Sequence, residues 1–193
     1  MSIIEIIDPN KDYRWDQFVQ EHPLGWICHL SGWMNVLKSS FKHMRPYYYA
    51  ILDNSLNRIT AALPTFYVKS NLIGDRIVCM PFTTLCDPLV TQPEDLKAIV
   101  DNIMGNKSLA ECYLEIRTLF ASDIIPDDNF RKICNYEYHY LELNIDPNCL
   151  LDNFHRTCVK QRIRKAEKSN VICKKGRTKT GLAEFYRLYK MNR

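Results

Sequence analysis

The sequence predicts an α+β protein in which helices pack on a mixed sheet. Three patterns predict it. Two β-branched and aromatic runs, "PYYYAILD" and "RITAALPTFYVKS", flank the polar turn "NSLN" as a hairpin would. The run "QPEDLKAIVDNIMGN" places Leu96, Ile99, Val100 and Ile103 on one helical face, with Gly105 just past its end. Short apolar runs and helical patterns then alternate along the chain, which a sheet covered by helices accommodates most economically.

Taken in order, "IIEII" reads as an opening strand. "DYRWDQFVQEH" follows as a helix that carries Tyr13, Trp15, Phe18 and Val19 and is stopped by His22 and Pro23. Ser31 is the expected N-cap of a second helix through "GWMNVLKSSF". After the hairpin, "DRIVCM" is a third strand, the amphipathic helix comes next, and "CYLEIRT" and "YHYLELNI" add two more strands. Beyond Asp146-Pro147 the pattern changes to a long helix, a strand "NVICKK" and a final helix "LAEFYRLYK". The expected boundary falls near Asn144–Asn148.

A chain of 193 residues, 46% hydrophobic and 11% aromatic, can bury a sizeable core. Its apolar runs are far shorter than the roughly 20 residues that span a bilayer, and "MSIIEIIDPN" lacks a basic segment followed by an apolar one. A cytoplasmic location without a membrane span is expected. The eight cysteines, at 28, 79, 86, 112, 134, 149, 158 and 173, include no C-x-x-C pair. Free, buried thiols explain them better than disulfides or a metal site, and no metal is expected.

Charge is unevenly spread. Residues 156–193 hold 13 Lys/Arg against 2 Asp/Glu, a net of +11, whereas residues 1–155 hold 13 against 20, a net of −7. The basic segment is either a hydrated surface or a face for a polyanion or a phosphorylated ligand. Projected at 100° per residue from Leu150, the apolar arc holds Leu150, Phe154, Cys158, Leu151, Ala166, Val159 and Ile163. Arg156, Lys160 and Arg164 fall on the opposite face. Arg162 projects at about 120°, inside the apolar arc. A cation there needs an anion, either a structural carboxylate such as Glu115 or Glu142, or the carboxylate or phosphate of a ligand.

Several segments together resemble the first part of the FemAB-like proteins, which belong to the GNAT-fold acyltransferases. They are "HPLGWICHLSGWMNVLKSSF", with its W-x-x-V, then "LPTFYVKS", "DRIVCMPF", "YLEIRT", "YHYLEL" and "RIRKAEKSNV", in this order. The resemblance implies a first GNAT-like subdomain over residues 1–145 and the beginning of a second over 146–193, as in an N-terminal fragment. It implies transfer of an acyl or aminoacyl group to a small or peptide-like amine acceptor. The donor implied is acyl-CoA or aminoacyl-tRNA, with no cofactor held by this chain itself, and tRNA contact would fall on 156–193. The alternatives are a non-catalytic interaction domain of the same fold and a nucleic-acid-binding module.

By the same resemblance Lys38, shortly after Trp33, takes a substrate-contacting place, and Lys160, Arg162 and Arg164 fall in a basic helix of the second subdomain. This chain departs from the family pattern in carrying Arg162 before the Ile, and Cys86-Asp87-Pro88 where relatives tend to have glycine. Cys86 is a conceivable nucleophile only if a base stands beside it, and packing is the expected role. Glu115 and Arg117 share a strand face and make either an ion pair or part of a substrate groove. Tyr136, Tyr138 and Tyr140 also share a face, as core or rim. Acyl transfer needs a free amine, a polarised carbonyl and near-attack geometry. The Gly-rich pyrophosphate loop R/Q-x-x-G-x-G/A is missing from the sequence, and Gly176 and Gly181 lie in a different context.

Overall fold

The computed structural model describes residues 2–109, 112–125, 130–133, 137, 140 and 146–192. The chain divides into two compact units, Met1–Cys134 and Asn135–Arg193. The first is built as β1 (Ser2–Ile7), α1 (Arg14–Glu21), a 3-10 turn (Ile27–His29), α2 (Ser31–Ser40), β2 (Met44–Asp53), β3 (Arg58–Val68), β4 (Arg76–Val78), α3 (Pro93–Met104) and β5 (Tyr113–Glu115). The sheet is five-stranded and mixed, in the order β1-β2-β3-β4-β5. Neighbours run antiparallel except β4 and β5, which are parallel.

The hairpin forms where the pattern placed it, and Asn57 closes its turn at φ 47°, a conformation asparagine tolerates. β2 is buried without a break from Tyr48 to Leu52, so both faces of the sheet must be covered. Trp15 of α1, fully buried, meets the Tyr48 ring edge-on at 4.9 Å. Packing on β2 and β3, α3 buries all four residues of its predicted stripe.

Two sequence expectations change at the ends of α1 and α2. Ser31 is not the N-cap: Leu30 holds that place, and Ser31 is the first helical residue. Asp16 of α1 caps α2 from outside, accepting the Ser31 N–H at 2.8 Å and the hydroxyl at 2.6 Å. Tyr13, expected within the helix, is its N-cap residue and is 78% exposed. The chain leaves α1 over Gly25, where a Cβ would stand 1.8 Å from the Val19 carbonyl oxygen. Gly25→Ala is therefore expected to cost about 2–3 kcal/mol, read as a lowered midpoint in urea.

Pro64 lies inside β3, where a ladder hydrogen bond is ordinarily needed. The chain beyond β4 explains why it is tolerated. Ala62 exchanges both backbone bonds with Leu89, at 2.8 and 2.9 Å, and Phe66 is paired with Val78. Alternation points the backbone of Pro64 to that same side, opposite the stretch between Val78 and Leu89 where the neighbouring chain departs from the sheet. No N–H is needed there.

The second unit holds α4 (Pro147–Asn153), a π turn (Arg156–Lys160), α5 (Gln161–Lys168) and α6 (Lys179–Met191). One continuous helix over 150–168 was expected. Instead His155 takes ψ 131°, and its side chain caps the Cys158 N–H. The 100° projection from Leu150 therefore does not carry through to Arg162. Residues 171–177 form no strand either, and Val171 and Ile172 are 67% and 75% exposed. The predicted strand "YHYLELNI" and Glu142 lie outside the described residues, as do Tyr136 and Tyr138, while Tyr140 is exposed. Among the described residues no helix is long and apolar enough to cross a membrane.

Candidate functional site

Among the described residues β4 and β5 form one parallel strand pair, and the chain departs from regular structure at its carboxyl end. Ligands of open α/β sheets collect outside the carboxyl ends of strands. After β4, the Cys79 N–H bonds the Glu115 carbonyl at 2.8 Å, and the Cys86 N–H bonds the Arg117 carbonyl at 2.8 Å. One chain thus advances from 79 to 86 while its partner advances from 115 to 117. Residues 80–85 are extruded as a loop with a closed base, which the Cys79 thiol tightens by donating to the Cys86 carbonyl at 3.4 Å.

Two non-glycine residues of this loop have left-handed backbones, Met80 at φ 47° and Phe82 at φ 62°. Such conformations cost of order 1–3 kcal/mol each and gather at functional sites. Met80 is fully buried and accepts the Tyr48 hydroxyl on its sulfur at 3.5 Å, so packing holds it. Phe82 is 62% exposed, and its ring stacks on Phe41, at the end of α2, at 4.7 Å. Thr83 is buried and donates its hydroxyl to the Met80 carbonyl at 2.7 Å.

Arg117 crosses to this loop. Its Nη1 donates to the Thr83 carbonyl at 3.1 Å, while Nε and Nη2 lie 2.7 and 2.6 Å from Glu115 Oε1. Of the two readings open for Glu115 and Arg117, the structure contains the ion pair. Behind it stands Asp87, whose Oδ1 accepts the Leu119, Phe120 and Ala121 N–H groups at 2.9, 3.1 and 2.9 Å, together with the Thr118 hydroxyl. Asp87 is almost fully buried and fixes the turn that follows β5.

Cys86 does have a histidine beside it. His29 Nε2 lies 3.1 Å from the Cys86 sulfur, and both residues are buried. The hydrogen bonds assign the tautomer: Nδ1 accepts the Trp26 N–H at 3.0 Å, so the proton sits on Nε2 and is donated to the Asp87 carbonyl at 2.9 Å. A nitrogen that already carries its proton cannot take one from the thiol. Burial also holds the His29 pKa below its ordinary value and pushes the Cys86 thiol well above its own. The pair is a packed, neutral element of the fold rather than a nucleophile and base.

Among the other residues singled out, Trp33 is half-buried against the core, its buried Nε1 without a hydrogen-bond partner among the described residues, whereas Lys38 is exposed on the last turn of α2. Lys38 borders a shallow depression shared with Asn35, Val36 and Ser39. The Phe41–Phe82 stack ties the end of α2 to the 80–85 loop. Lys160, Arg162 and Arg164 belong to the second unit and are not described together with these. There Lys160 Nζ is held by the Asp152 carbonyl at 2.9 Å, while Arg162 and Arg164 are exposed and make no ion pair with described residues of their own unit. The thiols differ between units: Cys79, Cys86 and Cys112 are buried, whereas Cys149, Cys158 and Cys173 are exposed, against the expectation of burial.

Sequence reading missed His29 and Asp87, and the only signals were a lone histidine in "GWICHLSGW" and an aspartate before Pro88. It also missed the left-handed loop, since no glycine marks it. No protein-family model matches the chain, and no curated protein matches it.

Proposed function

We propose that the chain is a FemAB-like transferase, of GNAT-like fold, that delivers an acyl or aminoacyl group to an amine. The observation that carries this reading is the sheet: β1-α1-α2-β2-β3-β4-α3-β5, with β4 and β5 the parallel pair among the described residues and the 80–85 loop extruded from the carboxyl end of β4. The motif order of the sequence supports the same family.

In this reading Lys38 contacts a substrate anion. It is exposed, beside a depression, and linked through Phe41 and Phe82 to the loop at the strand ends. Arg117 serves the loop, and Cys86 takes no part in covalent chemistry. Arg162 and Arg164, exposed in the second unit, face the donor or acceptor as cations.

The test is transfer of label. The chain is incubated with labelled acetyl-CoA or with a labelled aminoacyl-tRNA, and with a lysine-bearing peptide or a polyamine as acceptor. Label in the acceptor, or equilibrium binding of a donor where a fragment by itself turns nothing over, is expected, with Lys38→Ala lowering either about tenfold, the worth of one charge-assisted contact, at an unchanged melting temperature. Absence of both consumption and equilibrium binding of either donor would overturn the proposal. That outcome is the one expected of a non-catalytic interaction domain, the reading favoured by the missing Gly-rich loop. If tRNA is the donor and 156–193 its face, affinity falls with salt by roughly 0.7–0.9 in log–log slope for each phosphate contacted. Salt-insensitive binding would remove that segment from the interface.

A further inference from the structure

We infer that Arg117 is a positioning residue: its single bond to the Thr83 carbonyl sets the left-handed 80–85 loop, and with it the exposed ring of Phe82, in one conformation at the carboxyl end of the parallel strands. The base of the loop is fixed independently of Arg117's side chain. Cys79 and Cys86 are bound by their N–H groups to β5 and its continuation, Met80 is buried under Tyr48, and Cys86 packs on His29. Beyond that base, two tethers reach the tip from outside the loop: the Phe41 ring on Phe82 and the Arg117 guanidinium on Thr83.

A phenylalanine at φ 62° does not hold that conformation by preference. Burial of its own ring does not impose it either, because that side chain is 62% exposed, while Pro81 and Thr83 on either side are buried. The tethers hold the conformation on that buried footing, and the stronger is the cation, whose Nε and Nη2 are anchored on Glu115 so that Nη1 has one direction to point. Glu115 aims the guanidinium, the guanidinium holds Thr83, and Thr83 fixes its neighbour Phe82. The arrangement deepens the transferase reading only in saying why that place matters; the locking itself requires no ligand.

Chymotrypsin reads the lock directly, because it cuts after Phe82 only when the loop opens into an extended strand. Phe120 provides a control within the same chain, since its bond to Ala121 lies in the turn held by Asp87. In the native chain both cuts are expected to be slow. Arg117→Gln is expected to speed the Phe82–Thr83 cut about tenfold, the effect of losing one charge-assisted hydrogen bond on a local opening equilibrium, and to leave the Phe120–Ala121 cut within twofold. Arg117→Lys keeps the charge but cannot span Glu115 and Thr83 together, so its Phe82 cut falls between the two.

Equal acceleration at both bonds would show general loosening and overturn the inference, as would an unchanged ratio of the two rates. Should Arg117→Gln fail to fold, the same ratio in Arg117→Lys decides. The experiment contains no donor or acceptor, so its failure leaves the transferase proposal standing, and failure of label transfer leaves the lock standing.

Discussion

Replacing Asp87 by alanine is expected to destabilise the first unit by about 3–4 kcal/mol, as the midpoint of urea unfolding would read it. One oxygen of this buried side chain accepts three consecutive backbone N–H groups, those of Leu119, Phe120 and Ala121, and the Thr118 hydroxyl. Ala121 is fully buried, so its N–H would lose its partner with little access to water, while Phe120, 68% exposed, can turn to solvent. The loss is thus that of a buried carboxylate network and not four independent bonds. Asp87→Asn keeps an acceptor oxygen in the same place and is expected to cost only about 1–2 kcal/mol. Equal losses in the two variants would mean that the charge, rather than the acceptor, matters. A loss under 1 kcal/mol in Asp87→Ala would mean that the turn after β5 holds itself.

How legible this was in the sequence depended on whether the determinant was local. The β2–β3 hairpin and the α3 stripe could be read because each is a periodic run beside its own turn or stop residue. Asp16 capping α2 could not, since it acts on Ser31 from fifteen residues away and leaves no spacing signature. The break at His155 escaped because no proline or glycine marks it; a histidine side chain competing for a backbone N–H was enough. For the loop at 80–85 the sequence was misleading, because left-handed positions are ordinarily announced by glycine and here they fall on Met80 and Phe82. The Glu115–Arg117 pair was foreseen from the two-residue spacing of a strand. Its hold on Thr83, thirty-four residues away, was not.

The acid limb of stability should belong in large part to His29. The imidazole is buried and neutral, with Nδ1 accepting from Trp26 and Nε2–H donating to the Asp87 carbonyl, so a second proton would have to displace the Trp26 N–H. Burial dominates in lowering its pKa, assisted by the nearby His22, while the hydrogen bond to the Asp87 carbonyl and the Asp87 charge oppose the shift without cancelling it. A histidine whose folded pKa lies below its unfolded value of about 6.5 gives its full contribution above that pH. As the pH falls, the unfolded chain takes up the proton first, and stability declines by at most about 1.4 kcal/mol per unit until the folded pKa is reached. His22, half-buried with its own pKa lowered by burial, adds a decline of the same sign. His29→Phe separates the two. At pH 8 it is expected to be about 3 kcal/mol less stable than the native chain, because the Trp26 N–H and the Asp87 carbonyl are left without their partner. Between pH 7 and pH 5 it should decline less steeply, so that the gap narrows in acid. Urea unfolding at pH 5, 6, 7 and 8 measures both. Parallel curves for the two proteins would show that His29 does not titrate in this range, and a gap that widens in acid would show that the folded state binds the proton more tightly than the unfolded one.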